Sequence, residues 1–132
     1  MRNVVSGCTV FLVAAALAAG CGSPARDTST LPASLIGHWV TESGATHYYF
    51  DGAFVVMVDE GDPTDLGYAV LDVDETGNTM MIAVGAQNER ATERLLEFSA
   101  GRDSLVETLV IGDFRHSTPW VYVDGLTKPA DR

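Results

Sequence analysis

Cysteine is close to absent from this chain: Cys8 and Cys21 are the only two in 132 residues. Basic residues are also scarce, with Lys+Arg 8 against Asp+Glu 18 and a formal net charge of -10. A field of that sign repels phosphate backbones and anionic lipid surfaces, so nucleic acid is excluded as an expected partner. No Gly-rich phosphate loop precedes a helix, and no G-x-S-x-G elbow exposes Ser43, Ser99, Ser104 or Ser117 as a nucleophile. The three imidazoles, His38, His47 and His116, show no metal-ligand spacing, so a histidine site would have to be assembled purely in space. The expectation is a protein without catalytic machinery and without a cofactor. Hydrophobic residues make up 46% and charged residues 20%, too apolar for an acidic disordered tail, and the length suits one packed domain.

The apolar residues are unevenly placed. From Val4 to Gly20 there is no charge, and the run Val10-Phe11-Leu12-Val13-Ala14-Ala15-Ala16-Leu17 follows a single Arg2, the order of a secretory signal. A transmembrane helix is the competing reading, but spanning takes ~20 predominantly apolar residues, and Ser6, Gly7 and Thr9 dilute this stretch. Leu17-Ala18-Ala19-Gly20-Cys21 resembles the lipobox of bacterial lipoproteins, in which small residues lead to the cleavage point and the next residue is cysteine. Ala18 stands where that family most often has Leu. The resemblance implies that residues 1–20 are a signal peptide and that Cys21 carries a diacylglyceryl thioether. The chain would then be lipid-anchored in the bacterial cell envelope, at the outer membrane or the extracytoplasmic face of the plasma membrane. At ~0.8 kcal/mol per buried CH₂, acyl chains on one cysteine hold a protein firmly to a bilayer. An ordinary signal cut near Ala19, with Cys21 incidental, is the alternative. In the lipoprotein reading no free thiol remains, since Cys8 leaves with the signal. Disulfides, thiol redox chemistry and zinc-cysteine sites are then excluded.

Residues 22–34 are rich in Gly, Pro, Ser and Thr, so residues 21–34 read as a lipidated cysteine and flexible linker. An ordered domain is expected over 35–124, and residues 125–132 form a polar tail. Between those limits, short apolar runs are broken by turn residues at the spacing of a sandwich or barrel. The runs are Gly37 to Glu42, Thr46 to Phe50, Ala53 to Val58, Tyr68 to Val73, Thr79 to Val84, Thr92 to Ser99, Leu105 to Ile111 and Trp120 to Asp124. Asp51-Gly52 reads as a two-residue type I′ turn, and sequential hairpins make an up-and-down meander. Phe54 to Val58 and Met80 to Val84 are apolar on both faces, so each is expected to be central or to bury a second surface. Over Asn88 to Phe98, Ala91, Leu95 and Phe98 fall at helical spacing, which keeps a helix open beside the strand.

Gly37-His38-Trp39, then Tyr48-Tyr49-Phe50-Asp51-Gly52, Gly67-Tyr68, Leu96-Glu97-Phe98-Ser99 and Asp103-Ser104-Leu105 together resemble the small lipocalin-like domains of bacterial lipoproteins. The resemblance spans about Leu35 to Tyr122. It implies an all-β antiparallel meander of about eight strands curled into a small barrel, with Trp39 across its closed end. An eight-stranded barrel is just wide enough to be filled by side chains or to hold one small ligand.

Two functions follow as expectations. In a carrier of a small apolar ligand, Trp39, Tyr48, Phe50, Phe54, Tyr68, Phe98 and Trp120 would line the pocket, although the same residues would fill an ordinary core. In a protein-interaction module of the envelope, an inhibitor or assembly factor, acidic loops would meet a basic partner. Ser43-Gly44-Ala45 followed by Tyr48 resembles the S-G-x-x-Y element of barrel lipoproteins that inhibit lysozyme, with the spacing to Tyr48 off by one. An ordinary turn accounts for the same residues. Asp59, Asp62 and Asp65, with Glu60, offer the hard oxygens that Ca²⁺ takes, but the spacing does not fit a calcium loop and a solvated acidic turn is the simpler reading.

Overall fold

The computed structural model describes residues 26–86 and 89–130. Eight antiparallel strands close into an up-and-down barrel behind one short helix. They are α1 (Leu31–Leu35), β1 (Gly37–Thr41), β2 (Thr46–Phe50), β3 (Phe54–Asp59), β4 (Asp62–Asp74), β5 (Thr79–Gly85), β6 (Thr92–Phe98), β7 (Ser104–Ile111) and β8 (Phe114–Asp124). Each strand pairs with the next, and β8 returns to β1 through Trp39 opposite Tyr122 and Thr41 opposite Trp120. Closure leaves no sheet edge for another chain to extend. Extra residues fall at Val123 on β8, opposite the His38–Trp39 step of β1, and at Leu71 on β4. Such extra residues bend and twist a strand, as closing a barrel requires.

Alternation decides what lies inside. On β5, Met80, Ile82 and Val84 are buried while Met81 and Ala83 are only partly covered. Trp39, Tyr48, Phe50, Val55, Leu96, Phe98, Leu105 and Trp120 complete the inner packing. Their rings interlock, with Trp120 stacked on Tyr48 at 4.2 Å and Phe50 edge-on to Tyr68 at 5.1 Å. The stretch around Asn88 to Phe98 resolves in favour of a strand: β6 pairs with β5 on one side and β7 on the other, while Asn88 itself lies outside the described residues.

Three turn expectations are corrected. Gly52 does not adopt positive φ, so Asp51-Gly52 is no type I′ turn. The Asp51 carboxylate instead accepts hydrogen bonds from the N–H groups of Ala53 and Phe54 and builds the corner from a side chain. The mirror-image pair is Glu60-Gly61, at φ 52° and 88°, which joins β3 to β4. That tight turn draws Asp62 to Gly67 into a strand where the sequence reads as loop. Similarly, Gly112 at φ 58° starts β8 six residues ahead of Trp120.

The largest correction concerns residues 31–34, expected to be linker. They form α1, whose Leu31 and Leu35 are fully buried against the barrel. Thr30 caps it by accepting from the Ala33 N–H, and Pro32 sits in the first turn, where its missing N–H costs nothing. The Leu31 N–H, left without a partner in the helix, reaches the Glu75 carboxylate at 3.0 Å in the β4–β5 turn. The Trp39 indole N–H donates to the Leu35 carbonyl at 2.9 Å. Arg26 lies over the Tyr122 ring at 3.8 Å, and Arg102 in the β6–β7 turn donates to the Thr28 carbonyl. Residues 26–35 thus plug the barrel end that carries the β2–β3, β4–β5 and β6–β7 turns.

Candidate functional site

The opposite end, with the β1–β2, β3–β4, β5–β6 and β7–β8 connections, has no plug among the described residues. Paired residues share a face, so the register shows what lines this mouth. Met57, Leu66, Arg94, Leu109 and Thr118 continue the inner wall above the aromatic core, and each is half-buried. Asp59 and Asp62 oppose each other at the rim, where Thr46 donates its hydroxyl to Asp59. Ile111 and Phe114 face one another at the tip of the β7–β8 hairpin and are exposed, forming an apolar lip.

At mid-depth the wall turns polar. Arg94 and Glu107, on neighbouring strands, meet at 2.9 Å with side chains 16% and 7% exposed. Burial pushes the Glu107 carboxyl above its usual range, and Arg94 pulls it partly back. Burial likewise raises the Tyr48 hydroxyl, opposed by the charge of Arg94 and by a hydrogen bond with that side chain. Nε of Arg94 and Nε1 of Trp120 are buried without a hydrogen-bond partner.

The residues expected to line a pocket separate into groups. Trp39, Phe50 and Phe98 are core at the plugged end. Tyr68 is half-buried with its hydroxyl donated to the Asp51 carbonyl, and burial beside Asp51 pushes it up to about 12. Phe54 is 62% exposed on the outer face and lines nothing internal, because the Asp51 corner sets the β3 parity so that Val55 and Met57 point inward. Tyr48 and Trp120 alone of the set sit at the base of the mouth. Tyr48 is buried, which removes it from any loop presented to a partner in the manner of the S-G-x-x-Y element. Arg94 and Glu107 are the residues sequence reasoning missed. The available signal was parity, since Arg94 shares a face with Leu96 and Phe98, and Glu107 with Leu105.

The acidic stretch is split between faces. Asp59 and Asp62 take the inner side of the rim, whereas Asp65 pairs with Val56 on the outer side. Among the described residues, no three His, Cys, Asp or Glu side chains are grouped to hold a metal ion.

A second cluster lies outside the barrel. His38 Nε2 and His47 Nδ1 are 2.8 Å apart across β1 and β2, His38 Nδ1 faces Asp124 Oδ1 at 3.3 Å, and His38 stacks on Tyr49 at 4.1 Å. The protonation that avoids opposing two acceptors puts hydrogens on Nδ1 of both rings. Burial lowers the His38 pKa, opposed by Asp124. Pro129 and Ala130 of the tail line a groove with His47, Tyr49 and Val58 on the outer face of β2 and β3. Cys21 and residues 1–20 lie outside the described residues, and no helix among the described residues is long and apolar enough to cross a membrane.

Comparison with protein-family models, with curated proteins and with solved structures finds no match to this chain.

Proposed function

We propose that the chain is a membrane-anchored lipoprotein of the bacterial envelope, held by acyl chains on Cys21, whose barrel is a non-catalytic binding domain for a small apolar ligand. The observation that carries the binding role is the asymmetry of the barrel. One end is closed by α1, while the other presents half-buried Met57, Leu66 and Leu109 beneath the exposed lip of Ile111 and Phe114. A concave site of mostly apolar lining with a few polar groups at its base is the usual form of a small-molecule pocket. The anchor rests on the Leu17-Ala18-Ala19-Gly20-Cys21 pattern.

Native mass spectrometry of the protein extracted from its own cells tests the binding role. A co-purifying small molecule is expected, and it should be lost when Leu66→Trp fills the mouth while circular dichroism stays unchanged. An empty barrel with a protein partner attached would instead favour the interaction module. The anchor is tested by mass spectrometry of the N-terminal peptide, which should begin at a diacylglycerylated Cys21; an unmodified cysteine overturns that part.

A further inference from the structure

We propose that His38, His47 and Asp124 form a proton-operated latch on the segment from Gly125 to Ala130, closed while a single N–H lies between the two imidazoles and opened when each ring brings its own. The latch goes beyond the binding role and does not depend on it. One oxygen joins its parts. Oδ1 of Asp124 faces Nδ1 of His38 at 3.3 Å and also accepts the Leu126 N–H at 3.0 Å, so the carboxylate beside the ring also shapes the turn by which the chain leaves β8. Thr127 and Lys128 then line one groove with Tyr49 and Phe54, and Pro129 and Ala130 line a second with Tyr49 and His47. Tyr49, stacked on His38 at 4.1 Å, is common to both grooves, so the segment runs alongside the ring cluster.

Counting protons gives the mechanism. With both rings neutral, Nδ1–H of His47 is donated to Nε2 of His38 across 2.8 Å, and the one free lone pair of the pair is Nε2 of His47. A first added proton goes there and leaves the contact intact. A second can only go to Nε2 of His38, which sets N–H against N–H between two cations, and the rings must part. His38 is 7% exposed, stacked on Tyr49 and faced by Asp124, whereas His47 is half-buried and lines the groove of Pro129 and Ala130. His47 is therefore the ring that yields, and it moves on the side where the segment lies. The charged or titratable groups around the pair are Asp124 on β8, Tyr49 on β2, Glu60 in the turn after β3 and Lys128 on the segment, with Asp51 and Asp65 in the first groove. Burial disfavours the charged His38 ring most, and His47 adds to it against the pull of Asp124, so the second proton arrives below pH 6.5. Burial and Asp124 raise Tyr49, which stays neutral throughout.

The chain has three histidines, and His116, exposed and outside the pair, serves as the isolated reference. The full-length protein in lipid nanodiscs, with ¹³C in its histidines and ¹⁵N throughout, would be titrated by NMR from about pH 8 to about pH 4.5, the range of imidazole chemistry. The ring signals of His38 and His47 are expected to move together in two steps about one pH unit or more apart, as coupled sites do. The Leu126 and Ala130 amides should follow the second step, while those of Ile82 and Leu96 in the core stay in place. His47→Asn offers His38 an amide N–H that takes up no proton, and it is expected to hold the Leu126 and Ala130 amides still over the whole range. Two rings that titrate singly and independently overturn the latch. So do segment amides that ignore the second step, or that move in His47→Asn as they do in the wild type. Loss of the Ile82 and Leu96 signals together with those of the segment overturns it as well, because acid would then be unfolding the barrel.

Discussion

Arg94 and Glu107 form an ion pair at 2.9 Å inside the barrel, one strand apart, where the aromatic core gives way to the mouth. Neither charge would be stable at that depth alone, and the pair marks the boundary between the buried aromatic core and the half-buried residues above it.

Breaking the pair should be costly and replacing it should not. Arg94→Met leaves the Glu107 carboxylate buried without its cation and is expected to lower stability by about 3 kcal/mol. The double variant with Glu107→Leu should recover most of that loss, since apolar residues of similar volume fill such sites well. Urea denaturation of the single and double variants measures both; a double variant less stable than Arg94→Met contradicts the account.

The plug helix should behave as core. Leu31→Ala and Leu35→Ala each remove a fully buried side chain and are expected to cost about 2–4 kcal/mol by chemical denaturation. A cost below about 0.5 kcal/mol, as for a surface position, would show that residues 31–35 are the linker their composition suggests.

Two turn glycines should respond in opposite ways to the same substitution. Gly61 sits at φ 88° in open space, so Gly61→Ala meets only backbone strain, expected to cost about 1–2 kcal/mol. Gly52 has equally open surroundings and no positive φ, so Gly52→Ala should be neutral or stabilise by about 0.4–1 kcal/mol through the unfolded chain. Melting temperatures of the two variants, measured side by side, test which residues carry the mirror-image turn.

His38 should make the fold sensitive to mild acid. Its folded pKa is depressed below the ordinary value of 6.5, chiefly by burial, so the unfolded chain binds the proton more readily. The stability contributed by the neutral ring is fully present above pH 6.5 and is lost as pH falls through that value toward the lowered folded pKa. The melting temperature of the wild type is expected to drop between pH 7 and pH 5, and His38→Phe, which keeps the stack on Tyr49, should flatten that slope. Equal slopes would assign the acid sensitivity elsewhere, for instance to the carboxylates.

Alternation within each run made the fold legible. Leu96-Glu97-Phe98 states its inner face outright, whereas Met80 to Val84 is apolar on both faces and shows its parity only in the barrel; eight short apolar runs with turn residues between them specify a meander. Three things hid the rest. Pro63 and the surrounding carboxylates disguise the start of β4, because its strand character comes from pairing with β3 and from the turn at Glu60-Gly61 rather than from its own composition. The plug was signalled only by Thr30 and Pro32 at a helix start and by Leu31 and Leu35 one turn apart, too short a pattern to stand out from a linker. The site depends on residues distant in sequence. His38 and His47 meet only because β1 pairs with β2, and Arg94 and Glu107 look like surface charges until their parity is set against a closed barrel.

The docking of residues 26–35 also fixes a direction. Arg26 is held against Tyr122 at the plugged end, and the five peptide links from Cys21 to Arg26 reach at most ~18 Å even fully extended. A protein acylated at Cys21 would therefore keep its sealed end against its own bilayer, with the mouth pointing into the aqueous space on the far side. Whatever such a domain bound at the mouth would then enter from the aqueous side and not from the anchoring lipids.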